Sequence, residues 1–320
     1  MALDQGTSDI EKPDAAVPGP LHPPLRSRRI PKWRTRTLAK TEPQHCMPLN
    51  FEHVDVNGLP AVRLHGANGS RALIALHGAH LLSWTPADGR ERLFLGERAR
   101  FAQGAAIRGG VPVIFPQFAG RGPLPRHGFA RTLPWRLVAI DEHATFELID
   151  GSATAMWPHA FRARVHVALD ATALEITLEI ANTGGDAFAF TAALHTYLAV
   201  DDIDSVALLG LDGCRYEDSV EGGTIRQQAQ DPLRFAGEVD RIYAAAAQPL
   251  VLQHGQHRTT IAQRGFADTV VWNPGAMLAA GIDDLAPGEH RRFVCVEAGQ
   301  VLQPVCLAPG DRWTGSQRLS

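Results

Sequence analysis

Cysteine is scarce in this chain of 320 residues: four thiols, Cys46, Cys214, Cys295 and Cys306, lie far apart and form no CxxC pair. That argues against a disulfide framework or a structural zinc knot, and for a reducing compartment, the cytoplasm. Long apolar runs are missing too. The richest stretch, from Ile242 to Leu252, is broken by Gln248 and Pro249, well short of the roughly 18 apolar residues of a membrane span. The first thirty residues lack the apolar run of a secretory signal. Charge of one sign is also lacking. The 31 Lys+Arg and 34 Asp+Glu leave a net charge of -3, whereas nucleic-acid partners select strongly basic domains. No GxxxxGK[ST] phosphate loop and no strand-linked GxGxxG occurs, so nothing points to a nucleotide. His77-Gly-Ala-His80 and His254-Gly-Gln-His257 offer metal spacing without a third ligand nearby, and read as ordinary polar residues.

What is there is a globular composition, 45% hydrophobic and 20% charged, with two unlike parts. Residues 1–46 hold Pro13, Pro18, Pro20, Pro23, Pro24, Pro31 and Pro43, and a basic cluster at Arg26, Arg28, Arg29, Lys32, Arg34 and Arg36. They carry no apolar period, cannot bury enough surface to offset their ordering entropy, and are expected to be a disordered extension. From Met47 to Ser320 the dominant period is two. Val165, Val167 and Leu169 alternate with polar or small residues. After Asp170–Ala173, Leu174, Ile176, Leu178 and Ile180 alternate with Glu175, Thr177 and Glu179. The pattern predicts an antiparallel hairpin with one buried face, ended by a turn at Asn182–Asp186. Further short runs occur at Leu73–Trp84, Trp135–Ile140, Thr145–Ile149, Phe188–Val200, Thr269–Trp272 and Phe293–Glu297. With no helical period and no βαβ alternation, the expectation is an all-β protein, a large antiparallel β-sandwich over residues 47–320.

Chemistry-bearing side chains gather in a few segments. Arg108 precedes a glycine pair, Gly109-Gly110, which is expected to let backbone approach a ligand closely. Arg131 follows a His127-Gly128 turn. Guanidinium groups suit bidentate recognition of phosphate or carboxylate, although two such arginines in loops are often simply exposed. The period-two rule puts Ala193, His195 and Tyr197 on one strand face, and Phe293, Cys295 and Glu297 on another. Taken singly, His195 reads as a hydrogen-bonded core histidine and Glu297 as a strand-end carboxylate in water.

Taken in order, the motifs resemble the aldose 1-epimerase superfamily, and more narrowly its hexose-6-phosphate mutarotase branch. They are Gly78-Ala-His80 with Ser83-Trp84, Arg108-Gly-Gly-Val-Pro, His127-Gly-Phe-Ala-Arg131, Leu194-His-Thr-Tyr197, Asp240-Arg-Ile-Tyr243, Val270-Val-Trp-Asn-Pro274, Val296-Glu-Ala-Gly299, Leu307-Ala-Pro-Gly310 and Trp313. The resemblance spans Met47 to Ser320. It implies a galactose-mutarotase-like sandwich with a sugar in a cleft on one sheet. It also implies His195 as catalytic acid, Glu297 as catalytic base, and Arg108, Arg131, Asp240 and His127 as substrate contacts. Arg126 stands where some members carry a substrate-contacting glutamine; it either adds a phosphate contact or points to solvent.

The implied activity is interconversion of the α and β anomers of a hexose 6-phosphate, D-glucose 6-phosphate first, by a monomer without metal or cofactor. Such chemistry needs only a base for the anomeric O1 proton and an acid for the ring O5. The pair is expected to face one another across a sugar-sized cleft. Alternatives are a mutarotase of unphosphorylated aldoses, a non-catalytic carbohydrate-binding sandwich and a purely structural one. An acid–base pair argues against the last two.

Overall fold

The computed structural model describes residues 49–229, 232–246 and 249–320; the expected extension 1–46 lies outside them. The hairpin read from the sequence is the clearest element. Phe161–Leu169 and Leu174–Asn182 alternate buried and half-buried positions and pair antiparallel from Phe161↔Asn182 to Leu169↔Leu174. The Asp170 carboxylate closes the turn by accepting from the Thr172 and Ala173 amides. At the other end the Asn182 side chain accepts from Gly184 and donates to the Asp186 and Leu307 carbonyls, which fixes the expected Asn182–Asp186 turn.

Among the described residues, three antiparallel sheets form. A four-stranded sheet runs in chain order from Asn50–Val56 to His80–Thr85. The first eight-stranded sheet, here the back sheet, has the order Ala207–Leu209, Leu250–His254, His257–Arg264, Arg312–Leu319, Leu174–Asn182, Phe161–Leu169, Ala144–Ile149, Arg136–Ile140. The second, the site sheet, runs Thr224–Gln227, Arg215–Asp218, Val239–Ala244, Asp268–Asn273, Phe293–Leu307, Phe188–Leu194, Val113–Ile114. Tyr197–Ala199 also pairs with Phe293–Leu307. The described residues contain only a five-residue α-helix, Gly275–Ala279, and no helix long and apolar enough to cross a membrane. The all-β expectation is met.

Two expected runs are broken. Leu73–Trp84 divides into Arg71–Ala75 and His80–Thr85, because Gly78 and Ala79 adopt positive φ and turn the chain. Phe188–Val200 breaks at His195–Thr196, where the His195 amide donates to the Pro112 carbonyl, just before the neighbouring strand Val113–Ile114.

The main core uses one face of the site sheet. Leu194, Val271, Val294, Val296 and Ala298 join Val165, Val167, Ile176 and Leu178 of the back sheet in one apolar cluster. Each fully buried side chain of this size contributes about 1.5–3 kcal/mol. Period two then sends Phe293, Cys295 and Glu297 to the opposite face, which becomes the floor of a cleft.

Candidate active site

The floor of this cleft is built from neighbouring strands. Tyr197 pairs with Cys295, and Val270 with Glu297, so His195 and Glu297 come side by side. His195 Nε2 lies 3.3 Å from Glu297 Oε1. This corrects the expectation of groups facing one another across a sugar: their tips are in contact. Glu297 is not a strand-end carboxylate either. Its strand continues to Leu307, and it is only 1% exposed.

Burying two ionisable groups is costly unless they satisfy one another. Burial, with Asp240 nearby, holds the Glu297 carboxyl well above the usual carboxylate range. Burial, with Arg131 and Arg108, holds the His195 imidazole well below its usual range. Both shifts disfavour charge, so the pair favours a neutral carboxyl beside a neutral imidazole, with one proton between two adjacent atoms, as a coupled dyad. Glu297 Oε2 and His195 Nδ1 have no hydrogen-bond partner among the described residues. The imidazole is stacked on Tyr197, with ring centres 4.9 Å apart and planes 11° apart, and Trp272 meets its edge.

A clasp behind the dyad was not legible in the sequence. Gln317 of the back sheet is fully buried. Its Oε1 accepts from the Thr196 hydroxyl and its Nε2 donates to the Val296 carbonyl. Thr196 and Val296 adjoin His195 and Glu297, so one side chain ties together the two segments that carry the dyad.

All seven residues singled out from the sequence, His195, Glu297, Arg108, Arg126, His127, Arg131 and Asp240, line one cleft of about 540 Å³. A second hollow, of about 600 Å³ and lined by Glu91, Glu289 and Arg292 among others, contains none of them. The glycine pair after Arg108 serves packing and not the ligand approach expected of it. Gly109 and Gly110 have φ of +106° and +60°, and a Cβ would lie 2.4 Å from the Phe94 carbonyl oxygen or 2.2 Å from that of Leu81. This tight path sets the start of Arg108.

The three arginines differ. Arg108 donates to the Tyr197 hydroxyl at 2.9 Å and to Asp284 at 3.1 Å. Asp284 is a residue with no motif to announce it, held in the loop after Asn273. Among the described residues Arg131 has no carboxylate partner: its one hydrogen bond there is to the Arg126 carbonyl, and its buried Nε is unpartnered. Burial, with Arg108 and Arg126, pulls its pKa down, which marks a cation short of an anion. Arg126 is exposed at the rim. His127 sits at φ +68° and accepts from the Ala119 amide at Nδ1, so Nε2 carries its hydrogen. Its ring is 5.6 Å from that of His195, and burial followed by His195 keeps it neutral. Asp240 is held above the usual carboxylate range by burial.

Of the paired histidines of the sequence, His254 Nδ1 lies 3.5 Å from an Asp201 carboxylate oxygen, and the first pair serves the backbone. His77 donates to the Ala105 carbonyl and His80 to that of Gly109, and burial lowers the His80 pKa to about 4. Another donor cluster, unnoticed in the sequence as such, is His195, Cys295 and Glu297, with one ligand atom each within 4.8 Å of one another.

A sandwich with a buried carboxylate–imidazole dyad at the foot of a cationic cleft can be compared with known proteins. The family described as Aldose 1-epimerase matches residues 60–320. The chain belongs to the aldose 1-epimerase family. A curated relative from Cenchrus ciliaris, named "Putative glucose-6-phosphate 1-epimerase", is 36% identical over 280 residues, 82% of this chain and 85% of its own. A relative of the same name from Escherichia coli K12 is 39% identical over 237 residues, covering 71% and 79%. A crystal structure from Salmonella typhimurium, described as a "putative mutarotase (YeaD)", superposes with a TM-score of 0.78 at 31% identity. It covers 86% of this chain and 96% of that one. The family thus supports an epimerase acting on a sugar.

Proposed function

We propose that this epimerase interconverts the α and β anomers of a hexose 6-phosphate, with D-glucose 6-phosphate as substrate. The observation that carries the reading is the joint presence, in one cleft, of the His195–Glu297 dyad and of Arg131, which has no carboxylate partner among the described residues. The names of the relatives agree with it. The dyad suits the reaction because O1 and O5 of a pyranose are bonded to the same carbon. Two side-chain tips in contact can address both at once, with no need to stand on opposite sides.

In this mechanism the dyad reacts as its ion-paired tautomer, with the shared proton on His195 Nε2: Glu297 takes the O1 proton as His195 gives its proton to O5. The C1–O5 bond breaks, and C1 becomes the aldehyde. Rotation about C1–C2 presents the other face, and closure returns both protons with the roles reversed. The dyad ends with the one proton it began with. Each positioned acid or base supplies about 10²–10⁴-fold. Arg131 and Arg126 hold the phosphate. Arg108, engaged by Asp284 and Tyr197, orients the aromatic ring beneath His195 and completes the cationic wall. Asp240 and the Nε2–H of His127 contact sugar hydroxyls.

All these groups come from one chain, so the reading needs no second subunit. It places the protein in the cytoplasm, in keeping with the free thiols Cys214, Cys295 and Cys306. The test is an anomer-equilibration assay on glucose 6-phosphate, glucose and galactose. The phosphosugar should be preferred; faster exchange of a free aldose would replace this reading with a free-sugar mutarotase.

A further inference from the structure

We infer that His195, Cys295 and Glu297 form a binding site for a thiophilic divalent cation of the zinc type, and that the bound ion blocks the acid–base dyad. The three side chains come from one floor of the site sheet and are all buried. Their donor atoms lie within 4.8 Å of one another. Tetrahedral zinc, with bonds of about 2.0–2.2 Å to nitrogen and oxygen, places such ligands about 3.3–3.5 Å apart. The observed His195 Nε2 to Glu297 Oε1 separation is 3.3 Å, so two of three ligands stand at the required edge before any ion arrives. With a zinc–sulfur bond of about 2.3 Å, the sulfur must close by at most about 1.3 Å, within reach of a side chain with a single χ angle.

Two further observations point to a ligand. Glu297 Oε2, the second oxygen of the carboxylate that faces His195 Nε2, is buried and has no hydrogen-bond partner among the described residues, an arrangement that is costly unless something satisfies it. Both side chains line the cleft, which gives an ion an entry path and a fourth position open to water or a sugar oxygen.

The surrounding arginines do not exclude a cation. A zinc dication that displaces the thiol proton and the single dyad proton leaves the net charge of the cleft unchanged. The mixed thiolate, imidazole and carboxylate set selects zinc over magnesium or calcium, which prefer oxygen alone. An ion there occupies the atoms that must reach O1 and O5, so sugar and zinc compete.

The site stands on side-chain geometry, not on the identity of the sugar, and its test is independent of turnover. Zinc alone, titrated calorimetrically into the full chain without an affinity tag, should bind one ion per chain. Cobalt(II) in its place should show thiolate-to-metal charge-transfer absorption. Cys295→Ala should weaken zinc at least about tenfold, abolish that absorption and keep anomer exchange, since Cys295 is fully buried beneath the residues that line the cleft. Cys295→Ser, closer in size, should also lose the charge-transfer band and serves if the alanine variant folds poorly. Absence of zinc binding in the unaltered protein, a cobalt spectrum without a thiolate band, or equally tight zinc binding by Cys295→Ala would each overturn the proposal. A failure of the glucose 6-phosphate reading would appear only in the anomer assay and leave these measurements unchanged.

Discussion

Leu174–Asn182 and Phe293–Gly299 are both strands of the same sandwich, yet they bury their residues differently. The first alternates buried and half-buried positions through Leu178. The second is buried at all seven positions. The back-sheet strand covers one core and shows water its other face. The site-sheet strand covers that core with Val294, Val296 and Ala298, while its outer face lies beneath the dyad, Tyr197 and the loop that carries Asp284. A sheet covered on both faces can hold a carboxylate dry, and dryness is what turns Glu297 and His195 from two surface ions into one shared proton.

The largest way to break this contrast is to remove a dyad member. Glu297→Gln or His195→Ala should lower anomer exchange by roughly two or more orders of magnitude. Glu179→Gln, on the half-buried face of the back sheet, should leave it unchanged. Turnover near that of the unaltered protein in either dyad variant would end the mechanism. The pH profile follows from the shift directions. Glu297 is raised and His195 lowered, so the singly protonated dyad spans the interval between the two apparent values. The rate should fall on the acid side, where a second proton binds, and on the alkaline side, where the shared proton leaves.

The arginines give the next largest effect and separate substrate binding from scaffold. Arg131→Ala should weaken handling of glucose 6-phosphate about 10- to 100-fold, from charge-assisted hydrogen bonds of about 1.5–3 kcal/mol. Residual exchange of free glucose should barely change. Arg108→Ala should behave differently. It leaves the Asp284 carboxylate and the Tyr197 hydroxyl without their partner, so it should affect both sugars and lower stability by about 1–3 kcal/mol in a denaturant titration. If Arg131→Ala penalises both sugars equally, the cleft does not read phosphate through it.

How much of this was legible in the sequence follows the same division. The hairpin of the back sheet could be read because one wet face leaves alternation in the residues. The floor of the site could be read from ordered motifs, and all seven residues those motifs supplied meet in one cleft. What could not be read were relations set by three-dimensional approach. Asp284 finds Arg108 across 176 positions and Gln317 finds Thr196 across 121, with no local spacing to signal either. The glycine pair announced a close approach but not its partner, which proved to be the backbone of Phe94 and Leu81.

Gln317 offers a smaller and sharper test, because it belongs to the back sheet and acts on the site sheet. Gln317→Leu removes both of its bonds and leaves the Thr196 hydroxyl buried, at a cost of about 1–3 kcal/mol. If the clasp sets the dyad geometry, kcat should also fall, by less than the roughly hundredfold of a 1 Å misplacement, with little change in KM. Stability loss with kcat unchanged would leave Gln317 a structural link alone.

The smallest expected effect concerns residues 1–46, which share neither sheet's pattern. Their prolines and their lack of apolar period motivate the proposal that they contribute nothing to the sandwich. The family match begins only at residue 60, and the first strand spans Asn50–Val56. A chain starting at Met47 should therefore keep the melting temperature and anomer exchange of the full chain. The comparison also guards the other predictions, since six basic residues within Arg26–Arg36 could attract a phosphosugar electrostatically. Attraction between charges in water is screened within about 8–10 Å at ordinary ionic strength. Removing them should thus alter glucose 6-phosphate kinetics, if at all, only at low salt, whereas the effect of Arg131→Ala should persist at high salt. A fall in melting temperature, or a loss of exchange that salt does not abolish, would show that the segment packs on the sandwich or reaches the cleft.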